Sequence, residues 1–224
     1  MSTREMPSQL PLDFGRTPGF SRDELVVTPA NAAAVAMIER WPRWSSPVVV
    51  LAGPAGSGKS HLGSIWCARS GAAPARPDRL PSATPAFVDD ADGGHLDETG
   101  LFHLINEARQ SGGSLLVAAR RFPAAWGLAL PDLASRLRAA TTVEVHEPDD
   151  ALLAGVITKL FADRQVEVEP HVVSFLVRRM ERSLATAIDI VELLDAAALD
   201  RQTRVTRALA AEVVAALDEG RLRL

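Results

Sequence analysis

The chain has 224 residues, of which 47% are hydrophobic and 23% are charged, and its formal net charge is −4. This length can build one large or two small domains with a sizeable core, whereas the acidic balance argues against a protein that binds nucleic acid mainly by charge. A single cysteine excludes an internal disulfide, and the lack of a signal-like N-terminus or a bilayer-length apolar run favours a cytoplasmic protein without a membrane partner.

The N-terminal residues 1–22 contain Pro, Gly and Ser with little periodicity, so we expect a flexible arm. The stretch SQLPLDF within it alternates polar and apolar residues around Pro11, which a helix interior does not tolerate. It leaves Leu10, Leu12 and Phe14 as apolar side chains on an arm that has no core of its own. Taken alone, the pattern is compatible with a docking peptide or with a chance apolar stretch.

Beyond the arm, short apolar runs alternate with helix-like segments, a pattern typical of a parallel sheet covered by helices. The pattern predicts helix 29–41, strand 45–53, helix 60–70, strand 86–92, helix 98–112, strand 114–119, helix 130–139 and strand 141–148. The prolines in residues 70–85 predict a loop or a much reduced element. One face of the helix at 98–112 is predicted to be buried through Leu101, Leu104, Ile105 and Ala108.

The pattern changes after residue 148, where strands stop and further helices follow. These helices are predicted near 149–163, 170–181, 184–201 and 206–218. Pro170 and Thr206 lie where helix starts are expected. We therefore predict an α/β fold, with a P-loop NTPase core built on a parallel sheet and a small all-α lid. The predicted domains are a flexible arm at 1–22, a core at 23–148 and a helical lid at 149–224.

The stretch GPAGSGKS matches the phosphate-binding pattern G-x-x-x-x-G-K-[ST] and lies between a predicted strand and a predicted helix. Glycines let the backbone wrap around phosphates, and the amide groups and the helix N-terminus favour an anion. Lys59 would reach the β- and γ-phosphates, and the Ser60 hydroxyl would ligate Mg²⁺. We therefore predict ADP or ATP and Mg²⁺ as cofactors. The predicted nucleotide-binding residues are Gly53, Pro54, Ala55, Gly56, Ser57, Gly58, Lys59, Ser60 and His61.

Two adjacent acids, Asp89 and Asp90, follow the apolar run AFV. An acid at the tip of a strand beside the phosphate loop can hold Mg²⁺, which is the role predicted for Asp89. Asp90 is predicted to orient the attacking water, as the next acid does in related ATPases. An ordinary acidic loop is the alternative interpretation, because the apolar run is short and follows Pro85.

A strand and helix core followed by a helical lid is the arrangement of AAA+ ATPases. Ala118 and Ala119 end a predicted strand where AAA+ proteins usually carry a polar residue that contacts the γ-phosphate, and neither alanine can do so. Arg136 lies just before the last strand, where an AAA+ arginine enters the neighbouring subunit's site and stabilises transition-state charge. A solvated helix arginine is the alternative. Arg120 and Arg121 could line the nucleotide or a protein interface, or form surface ion pairs.

Four stretches carry a resemblance to a known family: FSRDELVVTPANAAAV, GPAGSGKSHL, FVDDAD and GLALPDLASRL. With the lid, they cover about residues 20–220 and resemble the AAA+ region of the DnaA family of replication initiators, in particular its Hda-type regulators. The resemblance implies that Arg136 acts as a trans-acting arginine finger on ATP bound to DnaA. It also implies that the arm docks on the DNA polymerase III sliding clamp through alternate side chains of an extended peptide. The implied clamp-binding residues are Gln9, Leu10, Leu12 and Phe14.

The chain departs from DnaA in three places. It ends after the lid, where DnaA continues into a helix-turn-helix domain, and residues 70–85 are short where DnaA contacts single-stranded origin DNA. The lid arginine that senses nucleotide falls on Ala185 or, with a one-turn shift, on Arg182. We therefore expect no direct sequence-specific DNA binding. We also expect a protein that binds nucleotide, with ADP favoured, but hydrolyses it weakly.

The sequence thus predicts a negative regulator of replication initiation whose partners are DnaA-ATP and the sliding clamp, in the cytoplasm at the replisome or nucleoid. It leaves open the level of intrinsic ATPase activity and assembly into homo-oligomers. A free-standing AAA+ ATPase of the helicase-loader type is one alternative, favoured by the intact phosphate loop. An adaptor that recruits other partners to the clamp or the origin is another.

Overall fold

The computed structural model describes residues 25–219, so the predicted clamp-binding residues Gln9, Leu10, Leu12 and Phe14 lie outside the described residues. The strands are β1 Val48–Ala52, β2 Ala73–Ala75, β3 Ala86–Val88, β4 Leu115–Ala119 and β5 Thr141–Glu144. The helices are α1 Ala32–Arg40, α2 Lys59–Ser70, α3 Glu98–Ser111, α4 Pro131–Arg138, α5 Asp150–Asp163, α6 Pro170–Val177, α7 Leu184–Asp200 and α8 Arg207–Asp218. None of these helices is long and apolar enough to cross a membrane.

The strands form one parallel sheet in the order β2-β3-β4-β1-β5. β1 and β4 are buried along their whole length, as expected of central parallel strands that carry helices on both faces. In the register, Ala52 at the end of β1 lies beside Ala119 of β4 and Glu144 of β5. The loops that follow these strands therefore meet at one edge of the sheet, where parallel α/β folds bind ligands.

The edge strand β2 lies inside the proline-rich segment that was predicted to be a loop or a much reduced element. It has only three residues and pairs with β3 alone. Its central residue is Pro74, which is tolerated there because an edge strand does not need every backbone N–H for pairing. The reduced-element interpretation is the one that the structure confirms.

Helices cover both faces of the sheet. On one face, α1 and α2 bury Trp66, which stacks on Trp44 with ring centroids 5.4 Å apart and meets Trp41 edge-on. On the other face, α3 and α4 pack against β3 and β4. The predicted buried face of α3 is confirmed by Leu101, Leu104, Ile105 and Ala108, which are at most 2% exposed.

The last four helices, α5 to α8, form a separate apolar core that includes Ile157, Phe161 and Leu176. Pro170 is the first residue of α6, and the Thr206 side chain accepts a hydrogen bond from the Leu209 N–H at the start of α8, so both predicted helix starts are confirmed. The predicted α/β core followed by an all-α unit is therefore confirmed as the fold class.

Candidate functional site

The phosphate loop runs from β1 into α2 at the ligand-binding edge of the sheet. Gly56 and Gly58 adopt left-handed conformations, with φ of 70° and 94°, which only glycine adopts without strain. The Gly53 N–H donates to the Ala119 carbonyl oxygen over 3.1 Å, and this bond fixes the start of the loop to β4. The predicted strand, loop and helix arrangement is therefore present around GPAGSGKS.

The Lys59 side chain is folded into this loop. Its Nζ donates to the carbonyl oxygens of Gly53 and Pro54 over 2.7 and 2.6 Å, and to Ser57 Oγ over 3.3 Å. Burial lowers the pKa of Lys59, and the carboxylates of Asp89 and Asp92 oppose this shift. The ammonium is thus held at the mouth of the loop, where it can exchange carbonyl oxygens for phosphate oxygens.

The two predicted acids follow β3 directly. Asp89 Oδ1 accepts a hydrogen bond from the Asp90 N–H over 2.9 Å, and Asp90 has a φ of 51°, unusual for a residue other than glycine. Asp90 Oδ1 lies 3.2 Å from Arg120 Nε, an exposed ion pair across the ends of β3 and β4. Of the alternatives for Arg120, the ion pair is the one that the structure shows, and it engages the acid predicted to orient water.

The sequence interpretation did not identify Asp92, which organises the end of β4. Its carboxylate is 1% exposed and accepts hydrogen bonds from the backbone N–H groups of Arg120 and Arg121 and from Arg121 Nε, over 2.8 to 3.0 Å. Burial raises the pKa of Asp92, but these hydrogen bonds outweigh burial and lower it overall. The sequence shows Asp92 as a third acid shortly after β3, and two adjacent arginines after β4. Residue types alone do not reveal that these two segments are in contact.

Substitution Asp92→Asn is expected to lower the free energy of unfolding by about 1–3 kcal/mol at neutral pH, because charge-assisted hydrogen bonds to a buried carboxylate are lost. The pKa of Asp92 is depressed in the folded state, so its contribution is present above the ordinary value of 3.8 and is lost as pH falls further. Urea unfolding should show a difference in the free energy of unfolding between wild type and Asp92→Asn that is constant above about pH 5. This difference should become smaller as the pH falls below the ordinary pKa of Asp92. The exposed Asp78, changed to Asn, is the control; an equal loss in both variants contradicts the assignment.

A cavity of about 860 Å³ lies between the phosphate loop and the helical lid. The Leu184 N–H at the start of α7 donates to the Gly56 carbonyl oxygen over 2.8 Å, and a Cβ at Gly56 would overlap the Ser183 hydroxyl. The lid therefore contacts the phosphate loop directly. The pKa of His61, which lines the cavity, is lowered by burial and then by the Lys159 charge. The phosphate loop contributes Gly56, Ser57, Gly58, Lys59, Ser60 and His61 to the cavity wall.

The two candidates for the lid sensor have different surroundings in the structure. Ala185 lines the cavity, whereas Arg182 donates to the Pro148 carbonyl oxygen over 3.1 Å and to Asp150 Oδ1 over 2.6 Å. Arg182 therefore holds the lid to the end of the core instead of reaching the cavity. At the end of β4, Ala119 is fully buried and its carbonyl oxygen is used by the phosphate loop.

Arg136 lies apart from this cavity, on α4. Glu98 accepts hydrogen bonds from the backbone N–H groups of Ala129 and Leu130 and so ties the start of α4 to α3. The Arg136 guanidinium lies 4.9 Å from the centroid of the Phe102 ring, and it forms no ion pair with any described residue. Arg136 is thus half-buried, and it does not line the cavity of its own chain.

The residues present fit a nucleotide with Mg²⁺. Ser60 lines the cavity, and Asp89 is near enough for its charge to act on Lys59, so two side chains with hard oxygen ligands belong to this region. Within residues 25–219 there is no cluster of three His, Cys, Asp or Glu side chains suited to a metal. Mg²⁺ does not need one, because it is usually held by one or two side chains together with phosphates and water. The sequence-predicted roles of these residues remain predictions.

Comparison with known proteins finds a family model that matches part of the lid and solved structures that share this fold. Residues 156–214 match the family described as Hda, lid domain. Domain III of the replication initiation protein DnaA from Thermotoga maritima superposes with a TM-score of 0.74 at 17% identity, covering 88% of this chain and 96% of that chain. AMPPCP-bound DnaA from Aquifex aeolicus superposes with a TM-score of 0.67 at 16% identity, covering 80% of this chain and 66% of that chain.

A curated relative matches by sequence. An uncharacterized protein of Haemophilus influenzae is 30% identical over 110 residues, which are 49% of this chain and 48% of the relative. The chain therefore spans about half of the length of this relative. The resemblance predicted from the sequence is confirmed by the lid match together with the shared fold.

Proposed function

We propose that this chain, an AAA+ protein with an Hda-type lid, is a DnaA-related regulator of replication initiation that stimulates hydrolysis of DnaA-bound ATP. The observation that carries the proposal is a contrast between Arg136 and the cavity of this chain. Arg136 is half-buried on α4 and does not line the cavity of its own chain, while Ala185 lines that cavity where a nucleotide-sensing arginine is expected. Such a protein is equipped to act on a nucleotide held by a partner.

The proposal includes ADP or ATP with Mg²⁺ in the cavity of this chain. Lys59 and the loop amides would hold the β- and γ-phosphates, and Ser60 and Asp89 would hold the metal ion. Support comes from the left-handed Gly56 and Gly58 and from the buried ammonium of Lys59 at the loop. A metal ion held there would neutralise phosphate charge, and the side chains of this chain would orient the nucleotide for contact with the lid.

Turnover of this nucleotide is proposed to be weak. Ala119 and Ala185 provide no side-chain donor to developing charge, and losing one such donor costs about 10²–10³ in rate in a comparable site. Asp90, the predicted water-orienting acid, is paired with Arg120. An acid engaged by a cation is a weaker hydrogen-bond acceptor for water, so the ion pair lowers turnover further.

The arm is proposed to bring this chain to DNA through the sliding clamp. Gln9 would hydrogen bond at the rim of a clamp pocket, with Leu12 and Phe14 inside it. Attachment to the clamp raises the local concentration of Arg136 without any new contact to DnaA. A weak contact between the two AAA+ bodies is then sufficient for a negative regulator, since DnaA-ADP is the inactive product.

The experiment that tests this proposal measures hydrolysis of ATP prebound to DnaA, with ADP, DNA-loaded clamp and this protein. Wild type should stimulate hydrolysis, and Gln9→Ala/Phe14→Ala should require a concentration about 10²–10⁴ higher for the same rate, which is the usual range of avidity gains. Without the clamp the two proteins should act equally. Absence of stimulation by folded, nucleotide-bound wild type would contradict the proposal.

A free-standing ATPase of the helicase-loader type is the second candidate. It is favoured by the complete phosphate loop with Asp89 and Asp90 beside it. The isolated protein would then turn over ATP at a rate typical of enzymes, about 1–10³ s⁻¹. The regulator proposal expects almost no turnover in the same assay, so a single measurement separates the two.

A further inference from the structure

The arginines of the lid are concentrated in two short segments. Residues 178–182 and 201–207 contain six arginines and one acid, Glu181. The rest of the described lid is acidic, so this distribution is opposite in sign to its surroundings. The six arginines are Arg178, Arg179, Arg182, Arg201, Arg204 and Arg207.

A phenyl ring brings the two segments together. Phe175 on α6 is half-buried, and the Arg179 guanidinium lies 5.7 Å from its ring centroid. The Arg207 guanidinium, at the start of α8, lies 5.3 Å from the same centroid. Two like charges therefore share one aromatic ring, which attracts each cation and offsets part of their repulsion.

Carboxylates pair with only two of these six arginines. Arg182 pairs with Asp150 and Arg201 pairs with Glu212, each over 2.6 Å. The remaining four side chains are exposed and make no ion pair or side-chain hydrogen bond with any residue in 25–219. We call these four, together with the shared ring, the lid arginine patch: Phe175, Arg178, Arg179, Arg204 and Arg207.

We propose that the lid arginine patch binds the phosphodiester backbone of nucleic acid without reading its sequence. Guanidinium groups bind phosphates in bidentate geometry and are weakly hydrated, so they bind phosphates well at a surface. An aromatic ring among arginines also provides stacking surface for bases, which a carboxylate-rich peptide does not use. This site is independent of the proposed action on DnaA, because neither the cavity nor Arg136 contributes to it.

The net charge of −4 limits the range over which the patch can attract nucleic acid. Repulsion from the rest of the acidic chain opposes long-range attraction, so contact is local and depends on the four guanidinium groups. Four phosphate contacts predict a slope of about −2.8 for log K against log salt with single strands. Dissociation constants on the order of 10⁻⁵ M are expected near physiological salt, in the range of non-specific binding.

The test is fluorescence anisotropy of a labelled oligothymidine of about 20 nucleotides, titrated with the full chain from about 25 to 200 mM salt. Arg179→Gln/Arg207→Gln should bind about tenfold or more weakly at low salt, with its slope reduced to about −1.4. The matched control is Arg40→Gln/Arg109→Gln, which removes the same charge from exposed arginines on α1 and α3 and should bind like wild type. Far-ultraviolet circular dichroism checks that all three proteins are folded.

Several outcomes overturn the proposal. Absence of binding by wild type at the lowest salt does so, as does an equal loss in the patch variant and the control variant. Competition by polyglutamate as strong as competition by unlabelled oligonucleotide would assign the patch to an acidic protein partner instead. If the patch variant folds poorly, Arg178→Gln/Arg204→Gln provides the same comparison without removing the contacts to Phe175.

Discussion

Replacing Arg136 with alanine is expected to lower the stimulation of DnaA-ATP hydrolysis by about 10³-fold or more, because a trans-acting arginine stabilises charge that develops on the transferred phosphoryl group. Binding of nucleotide by this chain itself should not change, since Arg136 does not line its cavity. Single-turnover hydrolysis of labelled ATP prebound to DnaA measures the first effect. Titration calorimetry of the isolated variant with ADP measures the second.

The matched control is Arg138→Ala, two residues further along α4, where the side chain is exposed. Arg136 packs over Phe102, so its loss also removes a contact between α4 and α3. Arg136→Lys separates the two roles, because lysine keeps a charge but lacks the planar fork of arginine, and it should recover little of the activity. Full regulation by Arg136→Ala would exclude the arginine-finger assignment and favour the adaptor alternative.

Replacing Lys59 with alanine is expected to weaken ADP and ATP binding by at least about 100-fold. Each hydrogen bond to a charged group is worth about 1.5–3 kcal/mol, and Lys59 is placed to serve both the β- and γ-phosphates. The Lys59 ammonium makes three hydrogen bonds inside the loop, so the variant also loses contacts that order the unliganded loop. Calorimetry with each nucleotide and Mg²⁺ measures the affinity.

Lys159 is the only other lysine of the chain and gives a matched comparison. It lines the same cavity on α5, and its Nζ forms an ion pair with Asp163. Lys159→Ala removes the same charge without removing a group from the phosphate loop, so a loss of tenfold or less is expected. Equal losses in the two variants, with unchanged thermal unfolding, would mean that general charge and not the loop lysine holds the phosphates.

Much of the fold is predictable from this sequence because its central strands are buried on both faces. β1 and β4 appear as continuous apolar runs, and the phosphate loop between β1 and α2 has a residue pattern that few other structures require. Helix starts at Pro170 and Thr206 are local signals, and local signals are visible in one sequence.

The parts that sequence reasoning missed depend on contacts between distant segments. The role of Asp92 is visible only in the folded structure, where the ends of β3 and β4 are adjacent. Its hydrogen-bond partners are 28 and 29 residues away in the sequence. The partner of Arg182 likewise depends on where α5 begins, because Asp150 at that start accepts a hydrogen bond from Arg182. Periodicity reports which face of an element is buried, but it does not report which distant side chain that face meets.

The contact between the phosphate loop and the base of α7 has a mechanical consequence. α7 has 17 residues, so it is a rigid rod of about 25 Å. A tilt of about 10° at the end bonded to Gly56 therefore displaces the far end by about 4 Å. That far end leads into Arg204 and Arg207, so a shift of the loop backbone that tilts α7 would be amplified into a larger displacement of these two arginines.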